Sequence, residues 1–395
     1  MAEFFNTGLT QQEFLDQYWQ KRPLLIRQAF PDFESPISPD ELASLAYESE
    51  IESRLIVEQG RESAWQVSHG PFVDADFEHL PESHWTLLVQ DVDKHIAETQ
   101  SILTPFRFIP NWRRDDLMIS YAAIHGSVGP HTDRYDVFLL QGLGTRKWQV
   151  TDHEIHAPSL IQDIDLQVLS EFNHAHEWLL EPGDMLYLPP HFGHHGVAME
   201  ACMTLSIGFR APTQAEAMDA VLNTLLERGL TQKHYQDANL KSVEHDHELN
   251  QQGLDNLKTL LHQTIDDAEP ILLETLGRLV TETKPSLVDI THEYVTEPTS
   301  KKLIEQQFEQ GQLLQKSTYH RFAWLEKESG GEIFVAGESY HLKQCSRQQL
   351  ILLTENTTLN RADWLNLLPE PEVVETLCLL IEEGAWQWQT LDNRL

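Results

Sequence analysis

The chain has 395 residues, of which 28 are lysine or arginine and 62 are aspartate or glutamate, so its formal net charge at pH 7 is −34. This length predicts two or three domains with at least one sizeable hydrophobic core. A balance this acidic argues against a protein that grips nucleic-acid phosphates through a cationic face. It fits either solubility through self-repulsion or attraction of a basic partner, and composition alone does not separate the two.

The first residues and the cysteines predict where the protein works. The sequence opens without a basic segment followed by an apolar run, and no stretch approaches the ~18 apolar residues that a membrane span requires. Cys202, Cys345 and Cys378 are scattered and odd in number, which is typical of reduced thiols and excludes a disulfide scaffold. We therefore expect a soluble cytoplasmic protein.

The first fifty residues predict short helices around one strand. Thr10 and Glu13 form a capping-box pattern that opens a helix. Residues 24–26 read as a short buried strand after Pro23, and a second helix is predicted from Pro39 onward.

From residue 55 to residue 210 the pattern changes to short apolar runs bounded by Gly, Pro, Asn and Asp. Several short strands at this spacing predict a β-sandwich or a jelly-roll barrel. The runs are 54–57, 117–121, 137–140, 147–150, 184–188 and 203–207.

At Pro212 the pattern becomes helical. A capping box at Thr213 and Glu216 precedes the first of three apolar stripes, which begin near Met218, Leu254 and Ile271. A polar, histidine-rich surface loop is predicted at 234–253. The last ninety or so residues combine strand runs around two glycine turns with short helices, which suggests a winged-helix module. The predicted class is α+β, with domains at 1–212, 213–298 and 299–395.

Two segments contain the candidate metal ligands. His131 and Asp133 flank one residue on a β run, so they can present an imidazole and a carboxylate to one barrel interior. About sixty residues later, a Pro-Gly-Asp turn and an apolar strand lead to His191, His194 and His195. Two histidines and one carboxylate on one face suit Fe(II) in an oxygenase, because three coordination positions stay open. His194 and His195 face opposite ways along a strand, and periodicity alone does not select the third ligand.

Arg146 is the second component of the predicted site. It begins the strand after the one that follows the His-x-Asp motif. A fixed guanidinium on the inner barrel wall can hold the far carboxylate of a dicarboxylate whose other end chelates the metal.

At these residues the sequence resembles the bacterial JmjC-type ribosomal oxygenases, the cupin-like hydroxylases of arginine in ribosomal proteins. The resemblance is strong over residues 10–212, and the helical middle and winged-helix end match only in arrangement. The segments that carry it are 18–26, 85–90, 110–120, 128–138 and 206–212.

The resemblance implies a site and a reaction. It selects His194 as the third metal ligand beside His131 and Asp133, places Arg146 at the distal carboxylate of 2-oxoglutarate, and places Ser120 beside that cosubstrate. The implied enzyme is a double-stranded β-helix (jelly-roll, JmjC/cupin-like) dioxygenase. It would use Fe(II), 2-oxoglutarate and O2 to hydroxylate an arginine side chain of a large-subunit ribosomal protein. The middle helices would form a homodimer. His195 departs from the acidic residue expected there, and its effect is left open.

The sequence is also compatible with two rival functions. One is a cupin-type metalloenzyme that acts on a small molecule without 2-oxoglutarate, for which Arg146 would be dispensable. The other is a non-enzymatic winged-helix adaptor or regulator. The acidic charge argues against strong direct nucleic-acid binding by such a regulator, and the complete metal motif argues against an inactive scaffold.

Overall fold

A computed structural model describes residues 3–58, 65–293 and 298–389. The chain divides into two compact units, the first formed by described residues of 1–211 and 285–290 and the second by those of 212–284 and 291–395. The α+β class is confirmed: the first unit is a jelly roll with short helices, and the second combines helices with small sheets. The predicted boundary between residues 298 and 299 stays a prediction, because the described residues on either side of it lie in the second unit.

The first unit holds two antiparallel sheets. The larger one has the order β1-β10-β7-β12-β5-β4-β2-β3 and the smaller one β6-β11-β8-β9 among the described residues. The strands are β1 (Leu24–Ile26), β2 (Ser53–Val57), β3 (Gln66–His69), β4 (Trp85–Val89), β5 (Arg114–Ala122), β6 (His131–Thr132), β7 (Asp136–Leu143), β8 (Arg146–Glu154), β9 (His176–Leu180), β10 (Met185–Leu188), β11 (Phe192–Ala198) and β12 (Cys202–Phe209).

The larger sheet is covered on both faces, which explains its nearly continuous apolar strands. Along β7, Val137 and Leu139 face the smaller sheet and pack with Trp148 of β8. Phe138 and Leu140 face the other way, into a core built with the N-terminal helices. The helices of this unit are α1 (Gln11–Gln17), α2 (Pro39–Leu45), α3 (Asp74–Glu78), α4 (Val92–His95) and α5 (Gln100–Leu103).

The helix starts predicted from capping boxes are confirmed. The Thr10 side chain accepts from the Glu13 backbone N–H, and Thr213 and Glu216 make the same contact at the start of α6. Each capping box satisfies backbone N–H groups that a helix end otherwise leaves without partners.

The second unit begins with three helices and continues as the winged helix. The predicted helices near residues 347 and 372 and the strands near 322, 333 and 340 are present. The elements are α6 (Gln214–Glu227), α7 (Gln251–Ala268), α8 (Leu272–Thr281), α9 (Val288–Glu293), α10 (Lys301–Glu309), β13 (Leu314–Lys316), β14 (Phe322–Glu326), β15 (Gly331–Val335), β16 (Glu338–Leu342), α11 (Arg347–Thr354), β17 (Thr358–Leu359), α12 (Arg361–Leu367), α13 (Pro371–Glu382) and β18 (Trp386–Trp388). Helix α9 runs across residue 290, where the first unit's second segment ends.

The sequence interpretation missed α10 and α12. Both are short, and local caps start them: the Leu303 N–H donates to Ser300 Oγ, and the Ala362 and Asp363 N–H groups donate to Asn360 Oδ1. The Asn360 and Asp363 pair is a capping box, so the signal for α12 was present in the sequence.

Candidate metal centre

His131, Asp133 and His194 come together at one end of the jelly roll. His131 lies on β6 and His194 on β11, and these two residues are direct partners in the antiparallel pairing. The strand expected to carry both motif residues ends at Thr132, so Asp133 follows it. Asp133 is nevertheless fixed, because its carbonyl accepts from the His191 N–H at 2.8 Å.

The three side chains have the spacing of a metal site. Nε2 of His194 lies 3.4 Å from Asp133 Oδ2, and Nε2 of His131 lies 4.0 Å from Asp133 Oδ1. All three ligand atoms lie within 4.8 Å of one another. Adjacent ligands at about 2.1 Å from a shared ion lie about 3 Å apart, so a small contraction would bring these atoms onto one ion.

Backbone carbonyls orient both imidazoles. Nδ1 of His131 lies 2.9 Å from the Gly129 carbonyl oxygen, and Nδ1 of His194 lies 3.0 Å from that of Phe192. A carbonyl only accepts, so each Nδ1 carries the hydrogen and each Nε2 offers a lone pair to the cluster. Metal-bound histidines usually donate such a hydrogen bond from the ring nitrogen that does not bind the metal.

The backbone at Gly129 makes the first of these contacts possible. Its φ is +79°, in the left-handed region, and a Cβ there would lie 2.9 Å from both Val168 methyl carbons. Any other residue would be strained at this turn, which sets the carbonyl that holds His131.

His194 is held neutral. Burial, with the neighbouring His131, lowers the pKa of His194 to about 4. A neutral imidazole is the form that binds a metal. The residue types, their tautomers and this protonation state therefore fit a divalent transition metal.

His191 and His195 stay outside the cluster. His195 follows His194 on β11 and pairs with Gln149, so its ring lies on the opposite side of the strand, where it meets Phe172 edge-on at 6.1 Å between ring centres. His191 has a φ of +67°, and its ring lies 5.0 Å from that of His156. Strand alternation thus separates His195 from His194, as the sequence indicated without selecting one, whereas His191 precedes β11.

A cavity of about 710 Å³ opens onto the cluster. This is within the range of small-molecule sites, about 300–1,000 Å³. Both sheets contribute to its wall, which includes Ser120 of β5, Arg146 and Trp148 of β8 and Thr204 of β12. The residues predicted for the cosubstrate therefore share one cavity with the predicted metal ligands.

Arg146 is a buried cation. Its NH2 donates to the Gly196 carbonyl at 3.2 Å and its NH1 to Thr204 Oγ1 at 3.5 Å, while Nε has no hydrogen-bond partner. The side chain is 3% exposed, and burial lowers its pKa. Among the described residues no carboxylate forms an ion pair with it, although burying an uncompensated charge is costly.

Trp148 and Gly196 are functional candidates that the sequence interpretation missed. The Arg146 guanidinium lies 5.1 Å from the Trp148 ring centre, and the same indole lies 5.9 Å from the His194 ring. A Cβ at Gly196 would come within 2.7 Å of Arg146 Nε and of the Trp148 ring. Trp148 is two residues after Arg146 on one strand, so period-two alternation could have placed it on the same wall.

Asp136, three residues after Asp133 in the sequence, does not line the cavity. It is fully buried and accepts from the Tyr187 hydroxyl at 2.6 Å, Gln20 Nε2 at 2.9 Å and an Arg113 NH2 at 3.3 Å. Its carboxylate therefore joins the N-terminal segment to the larger sheet.

A second group with metal-ligand chemistry lies in the second unit: Glu274, Glu332 and His341. The buried Glu332 carboxylate already pairs with Lys327 at 2.6 Å and with His341 at 3.1 Å, and Glu274 pairs with Arg228. The negative charges of Glu332 and Glu274 are therefore already paired with Lys327 and Arg228.

Comparisons with known proteins agree with this geometry. The JmjC domain profile matches residues 101–217, and the ROXA-like winged-helix profile matches residues 260–387. The fold and the His-Asp-His cluster therefore define a JmjC-type protein with a winged helix. The ribosomal protein uL16 3-hydroxylase of Escherichia coli is 35% identical over 374 residues, which is 95% of this chain and 96% of that protein. The chain belongs to the family of ribosomal oxygenases.

Solved structures of the Escherichia coli ribosomal oxygenase YcfD extend the likeness. One, in complex with cobalt and 2-oxoglutarate, has a TM-score of 0.79 at 32% identity and covers 97% of this chain and 99% of that one. Another, with cobalt and succinic acid, has a TM-score of 0.78 at 33% identity over the same shares. The predicted fold class and family are confirmed.

Proposed function

We propose that the protein is an Fe(II)- and 2-oxoglutarate-dependent dioxygenase that hydroxylates an arginine side chain of a large-subunit ribosomal protein. The observation that carries this proposal is the Arg146 cation, which has no carboxylate partner among the described residues and lines the same cavity as His131, Asp133 and His194. A set of three metal ligands alone would suit many reactions. The same ligands with a buried cation nearby suit a cosubstrate that has two carboxylates.

The ligand roles follow from the side chains. His131 and His194 each supply a neutral Nε2, and Asp133 supplies the anionic oxygen, leaving an open face toward the cavity. When bound, Fe(II) supplies the redox chemistry by which O2 oxidises 2-oxoglutarate to succinate and CO2 and a C–H bond gains one oxygen. The relatives solved with cobalt and either 2-oxoglutarate or succinic acid support this cofactor assignment.

Arg146 is proposed to bind the distal carboxylate of 2-oxoglutarate. Its unused N–H groups can pair with both oxygens of a carboxylate, and the low-dielectric wall strengthens that attraction. Ser120 is proposed to contact the same cosubstrate. Its hydroxyl lines the cavity and lies 3.5 Å from the Thr204 carbonyl oxygen, across the β5–β12 pairing.

The acidic composition supports a basic protein substrate. Asp163 and Asp165 line the cavity, and Tyr135 of the same lining offers a half-exposed aromatic face on which a guanidinium can stack. The net charge of −34 would attract an arginine-rich protein and repel RNA. The name of the Escherichia coli relative supports a ribosomal protein as substrate, and we propose the cytoplasm as the site of action. Among the described residues, no helix is long and apolar enough to cross a membrane.

Mass spectrometry of peptides tests the reaction. The purified protein with Fe(II), 2-oxoglutarate and O2 should add one oxygen to an arginine-containing peptide of the large-subunit ribosomal protein uL16, with succinate formed in step. The matched peptide with lysine in place of that arginine should stay unmodified. Oxidation of both peptides alike, or turnover that does not need 2-oxoglutarate, would contradict the proposal.

A homodimer through the middle helices is also proposed. Leu254, Leu257, Leu261 and Ile265 form one stripe along α7, and each is between 45% and 51% exposed. An 18-residue helix with such a stripe gains stability when a second copy covers it.

Leu261→Glu is therefore expected to convert a dimer into a monomer in sedimentation experiments, because a carboxylate would be buried at the interface. Gln263→Glu adds the same charge on the opposite face of α7 and should leave the dimer intact. A monomeric wild-type chain at micromolar concentration would contradict this interface.

A further inference from the structure

A chain of hydrogen bonds lies behind Arg146, and it begins at Gln141 of β7. Gln141 is fully buried, and its Nε2 donates to the Leu143 carbonyl at 2.9 Å and to the Gly144 carbonyl at 3.2 Å. Both hydrogens of the Gln141 amide are therefore used in hydrogen bonds to backbone carbonyls at the β7–β8 turn. The orientation of the amide follows, since only its NH2 group can donate to carbonyls.

Thr204 is the next member of the chain. Gln141 Oε1 faces Thr204 Oγ1 at 3.3 Å and can only accept, so the single hydroxyl hydrogen of Thr204 points toward Gln141. The lone pairs of Oγ1 then face the Arg146 NH1, 3.5 Å away. Thr204 is thus fixed as an acceptor toward the guanidinium.

The strand register brings these residues together. Thr204 lies opposite Gln141, whereas Met203 lies opposite Leu143, so β7 has one extra residue, Gly142, at this point. Such a bulge re-aims the side chains beside it. Without it, Met203 would lie opposite Gly142 in a regular register.

The acceptors in the two hydrogen bonds that Arg146 makes to Thr204 and Gly196 are neutral. Thr204 Oγ1 holds NH1 and the Gly196 carbonyl holds NH2, so the guanidinium is oriented while its charge remains available. A carboxylate in the place of Thr204 would orient Arg146 equally well, but it would compete with any incoming anion.

From this geometry we infer that Thr204 and Gln141 are positioning residues that orient Arg146 for the distal carboxylate of the cosubstrate. The inference rests on the proposed function and deepens it, because it explains how the anion site is built. Neither residue needs to touch the C–H bond that reacts. Substituting either residue should therefore change only the affinity for the dicarboxylate.

Thr204→Val and Thr204→Ser test this role as a matched pair. Valine keeps the shape of threonine and removes the acceptor, whereas serine keeps the hydroxyl. Thr204→Val should raise the KM for 2-oxoglutarate about tenfold, the size expected for one hydrogen bond to a charged group, while the KM for peptide and the kcat stay within about twofold. Thr204→Ser should stay near wild type.

Calorimetry provides a readout that is independent of turnover. Titration of the cobalt-loaded protein with 2-oxoglutarate should show a dissociation constant raised about tenfold in Thr204→Val. Gln141→Met, which frees the Thr204 hydroxyl to rotate, should also raise the dissociation constant for 2-oxoglutarate. This variant tests the positioning role if Thr204→Val does not fold.

The outcomes separate this inference from the proposed function. If the wild type turns over 2-oxoglutarate and both variants bind it as tightly as wild type, the positioning role is wrong and the proposed function stands. A fall in kcat and in peptide affinity equal to the loss of 2-oxoglutarate affinity would mean a merely structural role. A wild type that neither binds nor consumes 2-oxoglutarate would overturn both.

Discussion

Asp133→Ala is expected to abolish hydroxylation and to weaken metal binding by at least about a hundredfold. Outer hydrogen-bond partners of metal ligands are typically worth ten- to a hundredfold in affinity or activity, and a direct ligand should be worth more. Asp133 is also the only anionic member of the cluster. Without it, the two neutral imidazoles would have to hold a divalent ion alone.

The metal content after dialysis and the rate of succinate formation measure this effect. Asp152→Ala is a matched control, because Asp152 is an exposed carboxylate on β8 that pairs with its neighbour His153 outside the cavity. The control should retain full metal content and rate. Asp133→Ala protein that keeps a stoichiometric metal ion would show that the His-Asp-His cluster is not the site.

Arg146→Ala is expected to raise the KM for 2-oxoglutarate by at least about thirtyfold. Truncating one partner of a buried, hydrogen-bonded charge pair costs about 2–5 kcal/mol, and 1.4 kcal/mol is a factor of about ten. Arg146→Lys should recover only part of the affinity, because an ammonium retains the charge but cannot pair with both carboxylate oxygens in one plane.

Thermal unfolding distinguishes the binding role of Arg146 from a structural one. In the free protein Arg146 has no ionic partner among the described residues, so its removal eliminates a buried, uncompensated charge while losing its contact with Trp148. These effects oppose each other, and the Tm of Arg146→Ala without cosubstrate should stay within a few degrees of wild type. Activity that is unchanged in this variant and does not need 2-oxoglutarate would instead favour a cupin-type enzyme without that cosubstrate.

Local sequence patterns predicted the framework of the site. The strand carrying Arg146 and the helix starts at Thr10 and Thr213 follow from short-range chemistry, namely side-chain alternation and backbone capping, and they match the structure. The separation of His194 from His195 also follows from alternation. Choosing between them required either the resemblance to ribosomal oxygenases or the observed pairing of β6 with β11.

Long-range contacts account for what the sequence could not predict. The burial of Asp136 has no local signal, because Gln20 and Tyr187, which hydrogen-bond to its carboxylate, lie 116 and 51 residues away along the chain. The hydrogen bonds from Gln141 through Thr204 to Arg146 depend on the pairing of β7 with β12, which no local motif signals. His195 was recognised as unusual, and the structure places its ring on the far side of β11, away from the metal ligands.

The acidic net charge has a more specific meaning than at first. On its own, the charge argues against nucleic acid as the main partner and fits either solubility or attraction of a basic partner. With acidic residues lining the cavity and a ribosomal oxygenase family assigned, it is consistent with a cationic protein substrate that is captured before it is covered by RNA. Charge complementarity of this kind acts mainly on specificity and association rate.

Mass spectrometry of ribosomal proteins from cells with and without this gene tests the central proposal most directly. Cells that have the gene should contain one arginine-containing peptide of a large-subunit ribosomal protein that carries an additional oxygen. That oxygen should be absent in the deletion and return with the wild-type gene, but not with the Asp133→Ala gene. An identical set of peptide masses in all four strains would contradict the proposed function.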